Sequence, residues 1–163
     1  MKNKTSLEID AVSAKRIAIT AQGFHRPRPM GKVNLRHFRR VFGDVGLVQL
    51  DSVQAICRSH YLVFFSRLGK YDQLKLDNWI WHSGEIFESW AHEASILPVG
   101  LEPFVRWKKN RARKGETWKG LYELANSQEK YVDDVMRQVS SAPSAIRASE
   151  LTEPRNRSGP WWS

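Results

Sequence analysis

The sequence predicts an α+β fold that is mostly helical and carries a small antiparallel sheet. Three observations support this prediction. Polar capping residues precede segments with helical apolar spacing, glycines follow several of these segments, and two short aliphatic segments interrupt the helices. With 163 residues, of which 41% are hydrophobic, the chain can form one domain, or one domain and the start of a second.

The N-terminal segment predicts a helix followed by an extended basic arm. Asp10 is a suitable N-cap for a first helix, and Gly23 is a suitable C-terminal cap. In the next segment, Phe24–Pro29, two prolines alternate with arginines. Because proline cannot occupy a helix interior, this segment is expected to be extended.

A second helix is predicted from about Leu35 to Phe42, capped by Asn34. Gly43 and Gly46 are expected to end it. Its helical spacing predicts an inward face formed by Leu35, Phe38, Val41 and Phe42.

The middle of the chain predicts strands around two further helices. Leu47–Cys57 alternates aliphatic and polar residues as a strand does, and Ile86–Leu97 is a second strand that can pair with it. Between them, His60–Leu68 has helical spacing and ends at Gly69. A further helix, capped by Asp72 and running to His82, is expected to bury Leu74, Leu76, Trp79 and either Ile80 or Trp81.

The C-terminal part predicts a basic helix over Pro98–Lys114 and an amphipathic helix over Leu121–Val139. The order helix, helix, strand, helix and returning strand is the one expected of a winged-helix (helix-turn-helix) unit. We therefore predict such a unit over residues 1–140. Residues 141–163 are predicted to be a linker and the truncated start of a second winged-helix unit.

The net charge is +9, and its distribution suggests a polyanionic partner. No acidic residue occurs from Ala11 to Gly43, whereas Arg106–Lys119 is a second basic block. Two such blocks around a more acidic middle are typical of a surface that follows DNA phosphates. The alternative is that they are the solvated faces of ordinary helices.

Other classes of function are disfavoured. No run of about 18 apolar residues exists, so no membrane span is expected. The single cysteine, Cys57, excludes a disulfide framework within the chain and favours a cytoplasmic setting. The five histidines lack the spacing of metal ligands, so we expect no metal and no other cofactor.

Gln49-Leu50-Asp51 is the main candidate for chemistry. Residues two apart in a strand share a face, so Gln49 and Asp51 would present an amide beside a carboxylate, with Leu50 toward the core. Such a pair could stabilise a positively charged sugar and accept a proton from water. The alternative is the solvated polar face of an edge strand.

His92 and Glu93 form the second candidate site. As neighbours in a strand they would point to opposite faces, which is poor geometry for a catalytic His–Glu pair. We expect instead that they could contact a DNA lesion. The alternative for His92 is a hydrogen-bonded structural histidine.

Several segments together resemble the winged-helix crosslink-repair DNA glycosylases, the YcaQ-type family of alkylpurine glycosylases. The resemblance covers nearly the whole chain. The segments that carry it are Ala21–Phe24 with the following Arg-Pro arm, Val48–Val53, Ala55–Leu62, Phe65–Gly69, Phe87–Ser95 and Gly159–Trp162.

The resemblance implies a monofunctional glycosylase that acts on damaged double-stranded DNA without a cofactor. Its expected substrates are N7-alkylated purines, including interstrand crosslinks. Asp51 would stabilise the sugar cation and activate water, Gln49 would position them, and the basic side chains would hold phosphates. Those side chains are Arg26, Arg28, Arg58, Arg106, Lys108, Lys109, Arg111 and Arg113.

Members of this family are expected to be more than twice as long and to carry further winged-helix units. The sequence is therefore interpreted as an N-terminal portion that could be inactive alone. The alternative functions are a non-catalytic winged-helix DNA-binding protein and an inactive remnant.

Overall fold

The computed structural model describes residues 8–50, 56–143, 146, 150 and 151. The chain divides into two compact units, Met1–Val105 and Arg106–Ser163. The described part is mostly helical and contains one three-stranded antiparallel sheet, which confirms the predicted α+β class. The winged-helix arrangement and its boundary after residue 140 remain predictions.

The first helix, α1 (Ala11–Ala21), begins where the sequence predicted. The side chain of Asp10 accepts hydrogen bonds from the amides of Val12 and Ser13, both at 2.9 Å, and thereby satisfies two N–H groups at the helix start. Residues 26–34 contain neither helix nor strand, as expected of the Arg-Pro arm.

The second helix, α2 (Leu35–Val45), is capped by Asn34 but runs past the predicted end at Gly43. One glycine inside a helix costs only about 1 kcal/mol, and here Phe42 and Val45 on either side pack against the core. The helix ends at Gly46, which has a φ of 76°. The inward orientation predicted for Leu35 is wrong: this residue is 40% exposed, and the buried face begins one turn later at Phe38.

Helices α3 (Ser59–Leu68) and α4 (Gln73–His82) lie where the sequence predicted, and α3 ends at Gly69. In α4 the buried residues are Leu76, Trp79 and Ile80, whereas Trp81 is largely outside the core. The predicted burial of Leu74 is wrong. Because Leu74 precedes Leu76 by two residues, about 200° around a helix, it points to the opposite side and is 74% exposed.

The sheet contains β1 (Val48–Gln49), β2 (Ile86–Trp90) and β3 (Ala94–Pro98) in the order β1-β3-β2. The single strand predicted over Ile86–Leu97 is wrong, because Ala91–Glu93 turn the chain into a β2–β3 hairpin. The predicted pairing with the first strand is confirmed through β3. The first strand itself is shorter than predicted: Ile56 and Cys57 form a bend, and residues 51–55 lie outside the described residues.

The core of the first unit lies between helices α2–α4 and one face of the sheet. The ring of Phe38 is at its centre, with ring centroids 5.8 Å from those of Phe64 and Tyr71 and 5.9 Å from that of Trp79. The sheet contributes Val48, Ile86 and Ile96. This aromatic packing fixes the sheet on the helices that precede and follow β1.

A short 3₁₀ turn (Val99–Leu101) precedes α5 (Glu102–Arg113), which is followed by α6 (Lys119–Ser127) and α7 (Glu129–Ser141). The single helix predicted over Leu121–Val139 is wrong, because Gln128 has a φ of −135° and separates α6 from α7. Asn126 and Ser127 donate side-chain hydrogen bonds to carbonyls of the preceding turn, a competition that weakens helices. No helix in the described ranges is long and apolar enough to cross a membrane.

Replacing Phe38 with alanine should lower the free energy of unfolding by about 3–5 kcal/mol, because it opens a cavity among three aromatic rings. The matched control is Leu35→Ala, which removes an exposed apolar side chain from the same helix and should cost much less. Urea denaturation of both variants measures the difference. Equal losses of stability would contradict the position assigned to the core.

Candidate functional site

The candidate site is built around the end of β1. Val48 is fully buried, Gln49 is exposed, and Leu50 is half-buried against the core, so the side chains alternate as predicted. Gln49 is paired with Ser95 on β3. The amide of Leu50 donates to the carbonyl of Ala94 at 2.7 Å, which extends the pairing by one residue. The amide side chain of Gln49 is therefore held on the face opposite the core.

Asp51, the predicted catalytic carboxylate, lies outside the described residues. It directly follows Leu50 in the chain, and the amide of Leu50 is hydrogen-bonded to β3. The predicted placement of Asp51 and Gln49 on one face therefore stays a prediction, and the described part of this motif ends at Leu50.

His92 and Glu93 lie in the β2–β3 turn, and both are exposed. The turn is closed by a hydrogen bond from the amide of Ala91 to the carbonyl of Glu93 at 3.0 Å. The buried hydroxyl of Ser95 donates to the same carbonyl at 2.9 Å. Since β1 is antiparallel to β3 and Leu50 is bonded to Ala94, this turn and Gln49 lie at the same end of the sheet.

The arginines of the extended arm are bound within the protein. Arg26 forms an ion pair with Asp44 at 3.3 Å. Arg28 donates to the carbonyl of Ser66 at 3.4 Å, and its guanidinium lies 6.0 Å from the ring centroid of Phe65. These contacts fix the arm on the first unit, and the pairing with Asp44 reduces the positive charge that Arg26 offers to a phosphate.

Arg67 was missed as a residue that organises the arm. Its guanidinium lies 4.3 Å from the ring centroid of Phe24 and donates to the carbonyls of Gln22 and Val63 at 2.8 and 3.0 Å. Arg67 thereby joins the start of the arm to α3. The sequence gives no signal for this contact, because more than 40 residues separate Arg67 from Phe24.

The other predicted DNA-binding residues lie on two helices. Arg58 is exposed at the start of α3. In α5, the exposed side chains of Arg106, Lys109 and Arg113 follow one stripe at spacings of three and four residues. The remaining two predicted residues, Lys108 and Arg111, lie next to Trp107, with charged atoms 5.6 Å from its ring.

His60 is a second residue that no local sequence pattern marks. It is 1% exposed, and neither ring nitrogen has a hydrogen-bond partner within the described part of the chain. Burial lowers the pKa of His60, opposed by the nearby carboxylate of Asp77. The imidazole is therefore neutral at physiological pH.

Beside His60, the hydroxyl of Tyr61 hydrogen-bonds the carboxylate of Asp77 at 2.8 Å, and the hydroxyl of Tyr71 donates to the carbonyl of Tyr61. Burial and the Asp77 hydrogen bond raise the pKa of Tyr61 to about 12. The rings of Tyr61 and Tyr71 line an apolar cavity of about 440 Å³ that also contacts Cys57. Within the described residues, no group of three or more His, Cys, Asp or Glu is arranged to hold a metal ion.

Comparison with known protein families gives one match. The sequence model of a family described as DNA glycosylase AlkZ-like matches residues 42–163, about three quarters of the chain. The matched range includes the end of β1, the β2–β3 turn and the basic helix α5. No solved structure matches the chain.

The neutral state of His60 predicts a loss of stability in acid. Because the folded pKa lies below the ordinary value of 6.5, the unfolded chain takes up a proton at His60 below about pH 6.5 before the folded protein does. The free energy of unfolding should thus fall as the pH decreases below about 6.5. His60→Phe cannot titrate, so its urea midpoint should fall less between about pH 7.5 and 5.5. Equal declines in both proteins would contradict the assignment.

Proposed function

This chain belongs to the AlkZ-like DNA glycosylase family, and we propose that it hydrolyses the N-glycosidic bond of N7-alkylated purines in double-stranded DNA. The proposal includes the unhooking of interstrand crosslinks joined through such purines. It rests on one observation above all: Gln49, which immediately precedes Leu50-Asp51, is exposed at the same end of the sheet as the His92–Glu93 turn.

The proposed reaction uses one carboxylate. The bond between the sugar C1′ and the purine N9 breaks, and its electron pair leaves with the base. Alkylation at N7 makes that base cationic. The electron pair of the broken bond neutralises this charge, so no general acid is required. The carboxylate of Asp51 stabilises the positive charge on the sugar, then accepts the proton of the water that attacks C1′. Gln49 holds the water or orients the carboxylate.

The exposed end of the sheet is suited to a cationic lesion. Glu93 adds a second carboxylate to the turn, while His92 offers a ring that can contact the damaged base. The basic side chains lie on other elements: Arg58 precedes α3, and five more cations lie along α5. The proposal assigns phosphate contacts to these cations and the contact with the cationic base to the acidic groups.

A monofunctional mechanism follows from the same chemistry. Water is the nucleophile, so no covalent bond to an amine of the protein forms, and the expected products are the free base and an abasic site. A non-catalytic DNA-binding protein is the alternative. It would bind the same DNA through α5 and leave the glycosidic bond intact.

Replacing Asp51 with asparagine should reduce release of N7-methylguanine from duplex DNA by about 100-fold or more, because the variant cannot accept a proton. DNA binding should be unchanged. Single-turnover base release and fluorescence anisotropy measure the two properties.

Glu88→Gln is the matched control. Glu88 is an exposed carboxylate of β2 that lies in register with Ile96, on the face of the sheet opposite Gln49, and should be dispensable. Full activity of Asp51→Asn would refute the mechanism, and an inactive wild type would favour the non-catalytic alternative.

Neutralising Arg106, Lys108, Lys109 and Arg111 together should weaken binding to every duplex sequence alike and flatten its salt dependence. The slope of log K against log salt should decrease by about 0.9 for each phosphate that the variant no longer neutralises. Titrations at several salt concentrations provide the measurement. Lys130→Gln removes an exposed cation from α7 and is the control for net charge. An unchanged slope in the fourfold variant would exclude α5 from the DNA interface.

A further inference from the structure

The basic helix α5 carries an aromatic side chain that the proposed chemistry does not use. Trp107 is 50% exposed, although a tryptophan side chain gains much from burial. Its neighbours are cations: the Nζ atom of Lys108 and the Cζ atom of Arg111 each lie 5.6 Å from the ring centroid. Arg111 follows Trp107 by four residues, the spacing that brings helix side chains together.

The position of the Arg111 guanidinium is fixed by a second contact. Its Nε atom donates to Glu116 Oε2 at 2.5 Å, and Glu116 lies beyond the end of α5. Arg111 is therefore held between a carboxylate and an aromatic ring. This arrangement stabilises the ring orientation of Trp107 and leaves half of its surface open.

We propose that Trp107 is a stacking platform for an unpaired base of the DNA strand that α5 holds. An aromatic ring among cations is the combination that binds unpaired nucleic acid, since the ring stacks on a base while the cations hold the flanking phosphates. This inference rests on the proposed function, because it takes DNA as the ligand. It adds a preference for sites where a base has left the duplex.

The charge around Trp107 favours DNA over a second copy of the chain. Residues 106–116 contain one acidic residue, Glu116, and six cations: Arg106, Lys108, Lys109, Arg111, Arg113 and Lys114. Two copies that met at this surface would bring both sets of like charges together, which opposes association. A polyanion neutralises the same charges and releases its counterions.

The test compares two undamaged DNAs, a paired duplex and the same duplex with a one-nucleotide bulge. The wild-type protein should bind the bulged DNA more tightly. Trp107→Ala should lose about 10-fold in affinity for the bulged DNA and change less than about 2-fold on the paired duplex, with an unaltered salt slope. Trp107→Phe should recover part of the preference because it retains a stacking ring.

The control is Trp81→Ala, which removes a partly exposed tryptophan of α4 that has no cation on its ring in the described structure. Equal losses on both DNAs, or no loss on either, would overturn the inference. A change of oligomeric state in sedimentation experiments, with bulge binding intact, would assign Trp107 to a protein contact and also overturn it. Because the DNA is undamaged, these outcomes do not depend on whether the protein releases alkylated bases.

Discussion

The pairing of β1 with β3 is the interaction on which the candidate site depends. Among the described residues, Val48 is opposite Ile96, Gln49 is opposite Ser95, and a further hydrogen bond joins Leu50 to Ala94. Burial of Val48 and Ile96 under the aromatic core stabilises this pairing from one side. Gln49 is thereby fixed on the other side, at the end of the sheet that carries the β2–β3 turn.

Some cations of the chain are engaged within the protein. In the arm, Arg26 pairs with Asp44 and Arg28 contacts Ser66. In α5, a helix without a buried residue, Arg111 pairs with Glu116. A count of positive charge therefore overstates what either element offers to DNA, and α5, with five cations, is the larger of the two surfaces proposed to hold phosphates.

The sequence predicted features whose causes are local. The caps at Asp10, Asn34 and Asp72 were predicted because each side chain bonds amides within its own helix turn. The hairpin turn at Ala91–Glu93 was missed because apolar residues on both sides of it resemble one strand. The burial of His60 and the contact of Arg67 with Phe24 depend on residues distant in sequence, so no local pattern reveals them. The positions of Gln49 and of the His92–Glu93 turn emerge only from the sheet register.

The most direct test of the account is to locate the lesion on the protein surface by photocrosslinking. A benzophenone amino acid would be introduced at position 49 or at position 88 of the Asp51→Asn variant. This variant is used because it should leave the damaged base attached to the DNA. Each protein would then be irradiated with duplex DNA that contains one N7-alkylated purine. We expect crosslinks from position 49 to nucleotides at the lesion and none from position 88. Crosslinks from position 88 at the lesion, or a failure of position 49 to reach it, would contradict the assignment of this end of the sheet as the active site.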